Sequence, residues 1–511
     1  MNRDKCQRRK KSDDEEGDAI SRLPEDLLLH ILSLLPTREA ALTSVLSKRW
    51  RDLFTLLQPD SYDFDDSVFM PCLSPEECPR TSFREFVNRV LSRQPNSPIT
   101  KFSLTCHQGV DKDLVADWTR IALTRGATDL TLIVLFPASR IYSLPSSIFF
   151  YSRNLIKLKL GCGRLGIIHH NLFWGDFIFT NLRTLHLDSI DLGRSCESFA
   201  HLISRCPMLE ELIVNCIRWH HWNSASVCSL TLKTLTIDCE HYLPSMNSFV
   251  FKKRRGKLAS GNDVFVDPPD ARSEFGSRSP HDISFDTPNL LYLNYSDFVA
   301  RNYPLVKLDS LVEARLDVGS NRRQMHARDS VELRVRWDAT NLIMGIQNVQ
   351  TLHLTSATIE AIEDFCKTVP VFNNLNHLSI ESDDERGWQA LPLLLINCPS
   401  LHTLVFHGLH HRVSDGCGDA CDCIPPPPSS SSCLSSCPVK ILKILDFGAT
   451  CGEMSLVEHF LKKLPRLEQV IIVLLHCDSF IEEGCDRFEV SKALEMAPRA
   501  SPNCKLKVVN N

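Results

Sequence analysis

Cysteine and histidine are the residues here best equipped for chemistry, with 21 and 19 copies in 511 residues. The tightest group is Cys417, Cys421 and Cys423, with His410 and His411 shortly before it. Thiolate and imidazole are zinc ligands by type, but zinc sites use regular spacings, commonly paired C-x-x-C. This spacing matches no regular knuckle, so no metal is expected and the thiols read as incidental to a loop. The doublets His169-His170 and His220-His221 have no partner acid or ligand pattern. Cys366 and Cys451 show no sign of activation, which requires a cationic or helix-N-terminal setting. G-x-S-x-G, Walker A, H-E-x-x-H and G-x-G-x-x-G fingerprints are missing from the sequence. No cofactor is expected, and the expected activity is binding, not bond-making.

The elements that would position a binding surface come next. Hydrophobic residues make up 43% and charged residues 23%, ordinary globular usage. A net charge of -5 gives no electrostatic case for nucleic acid or an anionic membrane. No stretch reaches the roughly 18 apolar residues of a membrane span. The polar start Met1-Asn-Arg-Asp-Lys5 carries no secretory signal, so the thiols are expected to be reduced. Residues 1–17 read as a disordered tail; its Arg8, Arg9, Lys10 and Lys11 allow a nuclear address. Nuclear and/or cytoplasmic residence is expected.

Three short helices are expected across residues 18–60. Pro24 suits a helix start, and Glu25 and Asp26 complement the positive end of its dipole. Leu27, Leu28, Ile31, Leu32 and Leu35 recur at helical spacing as one wide apolar face. Pro36 stops that helix, Thr37 is placed to cap a second, and Ser47 a third that bears Trp50, Leu53, Phe54 and Leu57. So small a unit cannot bury that much apolar surface alone.

The run Ile20-Ser-Arg-Leu-Pro-Glu-Asp-Leu-Leu-Leu-His-Ile-Leu-Ser-Leu-Leu-Pro36, followed by Ala40-Ala-Leu-Thr-Ser-Val-Leu-Ser-Lys-Arg-Trp-Arg-Asp-Leu-Phe54, resembles an F-box. That resemblance implies docking onto the Skp-type adaptor of a cullin–RING ubiquitin ligase. Carried over by position, Leu23, Pro24, Ile31, Leu32, Leu35, Val45, Leu46 and Trp50 would line or support the contact. Lys48 and Arg49 would lie at its polar rim. Helix-in-groove recognition of this kind draws its energy from apolar anchors.

From about residue 96 the phrase apolar-x-x-apolar-x-apolar recurs. Examples are Leu155…Leu158…Leu160, Leu182…Leu185…Leu187, Leu232…Leu235…Ile237, Leu375…Leu378…Ile380 and Leu442…Leu445…Phe447. Central positions such as Leu158, Leu185 and Leu212 are spaced within the leucine-rich-repeat period. Asn-Leu or Cys-Pro-x-Leu turns lead in, and helices are expected between, as over 196–206 and 361–368. Stacked strand-plus-helix units bury a shared core and form a curved solenoid. The polar residue that usually follows each strand is mostly missing, so the turns need other hydrogen-bond partners. Leucine-rich repeats are expected over 96–411, with 61–95 a linker packing on them. Residues 251–286, including Phe251-Lys-Lys-Arg-Arg-Gly-Lys257, read as a loop insertion.

Residues 412–432 read as a flexible Pro/Ser/Cys loop. A strand-helix-strand pattern follows over 433–505, with Leu456, Val457, Phe460, Leu461 and Leu464 on the buried helix face. This resembles the FBD segment of plant F-box/leucine-rich-repeat proteins. The fold class is therefore α/β: a three-helix F-box, an irregular solenoid with parallel strands inside and helices outside, and an FBD end. The resemblance implies a non-catalytic substrate receptor of an SCF-type (Skp–cullin–F-box) ubiquitin ligase. Its partners would be the adaptor, through it cullin and RING subunits, and a target protein. Target-facing candidates are Arg183, Thr184, His186, Lys233, Thr234, Tyr292, His353, His377, His402 and Thr403, from strand positions between apolar anchors. The alternatives are a small-molecule-dependent receptor of the same class and a non-degradative scaffold.

Overall fold

The computed structural model describes residues 20, 23–35, 37–56, 60–69, 79–93, 96–107, 110–134, 141–142, 149–150, 152–161, 167–169, 178–191, 197–217, 224–239, 282–320, 324, 337–423, 432–475 and 487–510. The tail at 1–17 and the basic run 251–257 lie outside them.

Three short helices open the fold: α1 (Glu25–Leu34), α2 (Thr37–Leu42) and α3 (Lys48–Leu56). Pro24 directly precedes α1, and Glu25 and Asp26 occupy its first turn. Ser47 receives the Trp50 amide at 3.3 Å, as expected of a cap. Thr37 does something else: its hydroxyl accepts the Asp63 amide at 2.9 Å and so ties α2 to the first strand. Leu28, Leu32, Ala40, Trp50 and Leu53 form a small closed core, separate from the main one. The apolar face read from α1 is thus divided. Leu28 and Leu32 point inward, while Leu27 and Ile31 are exposed.

Behind the module stands one fifteen-stranded, wholly parallel sheet whose strand order follows the chain. Its repeating leucines stack in register: Leu158 beside Leu185, Leu185 beside Leu212, and Leu235 beside both Leu212 and Leu293. Strand residues alternate between buried and half-buried, as in Thr184–Asp188. The odd-numbered leucines of that strand join the core, and the residues between them face outward on the inner wall. Full burial of each leucine is worth about 1.5–3 kcal/mol, so a stack of them holds the solenoid together.

The structure differs from the sequence reading in several places. The sheet begins at Ser61–Asp65, paired with Lys101–Cys106, so the supposed linker already holds a repeat. Tyr62 and Phe64 carry its anchors, and three acidic or hydroxyl neighbours mask the pattern. Asp129–Val134 is a further strand, missed because Ala127 stands where a large residue was sought. In Ile441–Phe447 the anchors are Val439, Leu442 and Ile444, three residues ahead of the phrase as read. The run 439–447 fits both registers; a bulge with Asp446 at φ 54° settles it. The helix read at 361–368 is Ser356–Phe365, capped by Thr355 immediately after its strand. Asp282–Asp286, inside the expected loop, is a strand with Ile283 and Phe285 buried, paired to Ser224–Cys228.

Turn carbonyls find partners upstream of the strands instead of after them. Asn181, Asn289 and Asn374 each donate a side-chain N–H to a turn carbonyl of the preceding repeat, at Arg153, Leu230 and Asn348. The strand-helix-strand reading at the far end matches the structure. Cys451–Lys463 carries a Thr450/Glu453 capping box and buries Leu456, Val457, Phe460 and Leu461. A final helix, Arg487–Glu495, and strand, Lys505–Asn510, extend the same sheet.

Candidate functional site

Two surfaces stand out. The first is the outer side of the three-helix module. Val45 is 82% exposed, Leu46 70%, Leu34 72% and Ile31 37%, with Leu27 and Leu42 each at 50%. These side chains belong to α1, α2 and the link to α3, made of the 3-10 turn Thr43–Val45 and Leu46 after it. The module's own core is already complete without them, so their apolar area is a standing cost in water. Among the sequence candidates, Ile31, Val45 and Leu46 lie on this face, and Pro24 and Lys48 are exposed beside it. Leu23 and Leu35 are partly buried against the core. Leu32 and Trp50 are inside it, at 0% and 8% exposure, so any part they play is support, not contact. Arg49 donates to the Leu23 carbonyl at 2.7 Å, clamping the start of α1 onto α3. Phe54 lies under the Arg93 guanidinium at 5.2 Å and joins the module to the solenoid.

The second surface is the inner wall of the sheet. The sequence candidates fall into three rows across it. Arg183, Lys233 and His402 precede their strands and are exposed. Thr184, Thr234 and Tyr292 share the first register row, and His377 and Thr403 continue it. His186 and His353 lie in the next row inward along their strands. They do not meet at one point. Arg183 and Lys233 both pair with Glu210, which holds that carboxyl below its ordinary range, chiefly through the Lys233 bond at 2.8 Å.

The other group centres on His353 and His377, whose rings lie 5.8 Å apart. Around them the sheet gathers residues the sequence reading missed: Glu313, Arg315, Asp317, Glu381 and His407. Burial, with Arg315 adding, pushes the His353 imidazole down to about 4. Its Nε2 is buried without a hydrogen bond among the described residues, and the nearest carboxylate is Glu313 at 3.5 Å. His377 and His407 are lowered for the same first reason, desolvation. Glu381 is pushed up to about 7 by the crowded concave floor and by Asp317. Its side chain still reaches solvent. The three imidazoles of this patch are therefore held neutral at neutral pH, among acidic side chains and the Arg315 guanidinium. Arg315, Asp317, Glu381 and His407 had a signal, since each follows a buried apolar residue within its strand; Glu313 opens its strand and had none of that kind.

The cysteine group also differs from the reading of 412–432 as one loose loop. Cys417 and Cys421 are each 1% exposed, and Ala420 is buried between them. His411 and Cys423 close on them from the rim. A second convergence, Asp65, Asp66 and His107, is held by the His107 ring Nδ1, which lies 2.8 Å from the accepting Asp66 carboxylate.

Comparison with known proteins places these surfaces in context. Residues 20–61 match the F-box domain model, and residues 115–250 match the model described as FBD-associated F-box protein At5g56370, LRR repeats. The chain is 41% identical to the F-box/LRR-repeat protein At3g59210 of Arabidopsis thaliana, over 98% of this chain and 96% of that one. It is 39% identical to the F-box/LRR-repeat protein At4g14096 of the same plant, covering 97% and 95%. The putative F-box/FBD/LRR-repeat protein At3g59240, also from that plant, is 39% identical over 96% and 89%.

Proposed function

The chain belongs to the F-box/LRR-repeat protein family, and from that premise we propose that it is a substrate receptor of an SCF-type ubiquitin ligase. The observation that carries this reading is the module's double character. Leu28, Leu32, Ala40, Trp50 and Leu53 close its core, and Ile31, Leu34, Val45 and Leu46 remain outside it, exposed among the described residues. An apolar row on paired short helices fits a groove of an Skp-type adaptor, which in turn recruits cullin and RING subunits. The inner wall of the solenoid holds the target protein, in nucleus or cytosol. The chain contributes proximity: it raises the effective concentration of target lysines near the loaded conjugating enzyme. No side chain of this protein makes or breaks a bond in that scheme.

The test is calorimetric titration of the full chain with a purified Skp-type adaptor. Binding is expected, and an I31E/V45E double variant should weaken it at least about 30-fold, the scale of one strong apolar anchor. Its far-UV spectrum and melting temperature should stay as they are, since neither side chain belongs to the closed core. No binding by the parent chain, or equal binding by the variant, overturns the docking reading. Turnover of captured targets in cells, compared between the full chain and one lacking 18–57, then separates a degradative receptor from a scaffold.

A further inference from the structure

The segment between the strand Thr403–His407 and the short helix Cys433–Ser436 gathers three thiols and one imidazole that the proposed receptor role does not use. Donor atoms of His411, Cys421 and Cys423 all lie within 4.8 Å of one another. Cys423 Sγ is 3.1 Å from His411 Nε2. Cys417, 1% exposed, is a near neighbour of both Cys421 and His411. We infer that His411, Cys417, Cys421 and Cys423 form a Cys3His site for a structural zinc ion.

The surroundings are those a zinc site needs. His411 Nδ1 faces the Leu409 carbonyl at 3.3 Å, which assigns its proton to Nδ1 and leaves the Nε2 lone pair for the thiol side. The His411 ring lies flat on Trp388, centroids 4.0 Å apart and planes 8° from parallel, so its direction is fixed. Gly418, at φ 57°, lets the chain reverse between Cys417 and Cys421. Zinc holds sulfur at about 2.3 Å and nitrogen at about 2.0 Å, so tetrahedral donors sit roughly 3.5–3.8 Å apart. Cys417 falls outside the set that lies mutually within 4.8 Å, so at least one of its distances must close by more than about 1 Å to reach that geometry. Four protein ligands leave no open position, so the ion would be structural.

Its place in the fold says what it would secure. The Asp419 carbonyl accepts from His459 Nε2 at 2.8 Å, on the helix Cys451–Lys463. The Asp419 carboxylate receives the Cys433 amide at 2.8 Å. Arg412, next to His411, pairs with the buried Glu360 at 3.1 Å, on the helix Ser356–Phe365. A metal at the cysteines therefore locks one insertion against helices that lie before and after it in the solenoid. The sequence reading missed it because the ligands follow an H-x5-C-x3-C-x-C order, not a paired motif.

The experiment uses the full chain purified from zinc-replete cells. Elemental analysis should find one zinc ion per chain, and cobalt exchange should give the sulfur-to-metal charge transfer and strong visible bands of a tetrahedral thiolate site. A chelator strong enough to remove the metal should lower the melting temperature. C423S and H411N, both at the half-exposed rim, should each lose the zinc or bind it at least about 10-fold more weakly while the adaptor still binds. Metal-free protein with all three thiols open to native alkylation overturns the inference. So does zinc retained by both variants, or a disulfide among Cys417, Cys421 and Cys423 found by mass mapping.

Discussion

His353 shows how a side chain between two leucines acquires a property of its own. Its neighbours Leu352 and Leu354 are buried anchors, and its ring packs over His377 on the inner wall. Burial keeps the imidazole neutral, with its titration pushed down to about 4. The unfolded chain binds that proton near the ordinary histidine value, so between about pH 6.5 and 4 the unfolded state holds more protons. This contribution is complete above pH 6.5 and is lost as the pH falls toward 4, to the extent of at most about 3 kcal/mol. Glu381 runs the other way. Raised to about 7, its carboxyl holds a proton in the fold that the unfolded chain releases, so it weakens the fold as the pH rises from about 4.5 to 7. H353Q should flatten the acid limb of stability seen in urea titrations at pH 4 to 6.5. E381Q should stabilise the protein at pH 8, the gain shrinking toward pH 5. Equal pH profiles for parent and variants would contradict both assignments. The face these residues occupy was legible from the leucine phrase alone. Their crowding was not, because it comes from strands that are distant in sequence and adjacent only in the sheet.

At the scale of elements, periodicity located what it could and stopped where two faces compete. In α1 the apolar residues at helical spacing were plain, yet spacing alone could not divide them into an inner pair, Leu28 and Leu32, and an outer pair, Leu27 and Ile31. That division depends on where α3 brings Trp50 and Leu53. The consequence is a contrast between two substitutions in neighbouring turns. W50A removes a large side chain from a core of only five buried residues and should cost about 3–5 kcal/mol, melting the module. I31A should leave the module's amide-exchange protection unchanged. The helix Cys451–Lys463 offers a second check. Its Thr450 hydroxyl receives the Glu453 amide, and the Glu453 carboxylate, 2% exposed, returns to the Thr450 and Gly448 amides. The buried face of this helix was legible in the sequence; its Thr450-x-x-Glu453 cap was local enough to be read too, but went unread. T450A should cost about 1 kcal/mol by denaturant midpoint.

For the whole molecule, the governing fact is that the main sheet is parallel and each strand pairs with the main-sheet strands next to it in chain order, the strands between them forming two small three-stranded sheets among the described residues. The end strands of such a sheet carry backbone groups that no neighbouring strand takes up, and these invite another strand unless something covers them, as Thr37 does at Asp63. The edge strand Lys505–Asn510 sets Lys505 and Lys507 outward beside Gln469 and Ile471. Charge at those positions discourages a second chain from adding on. The strand beneath it, Gln469–Leu474, reads Gln-Val-Ile-Ile-Val-Leu and has no charged residue. Its inward Val470 and Ile472 are fully buried only while the last helix and strand are in place, with Leu494 and Val508 packed in the same core. Removing 476–511 should therefore leave a naked apolar edge, and the shortened chain should self-associate in light scattering. A lysine at outward-facing position 471 of the shortened chain should restore the monomer, because it supplies the charge that Lys507 supplies in the parent. If the shortened chain stays monomeric without that lysine, edge protection is not the role of the final strand. If the lysine makes no difference to an associating chain, the exposed core around Val470 and Ile472 drives association instead of the open backbone edge.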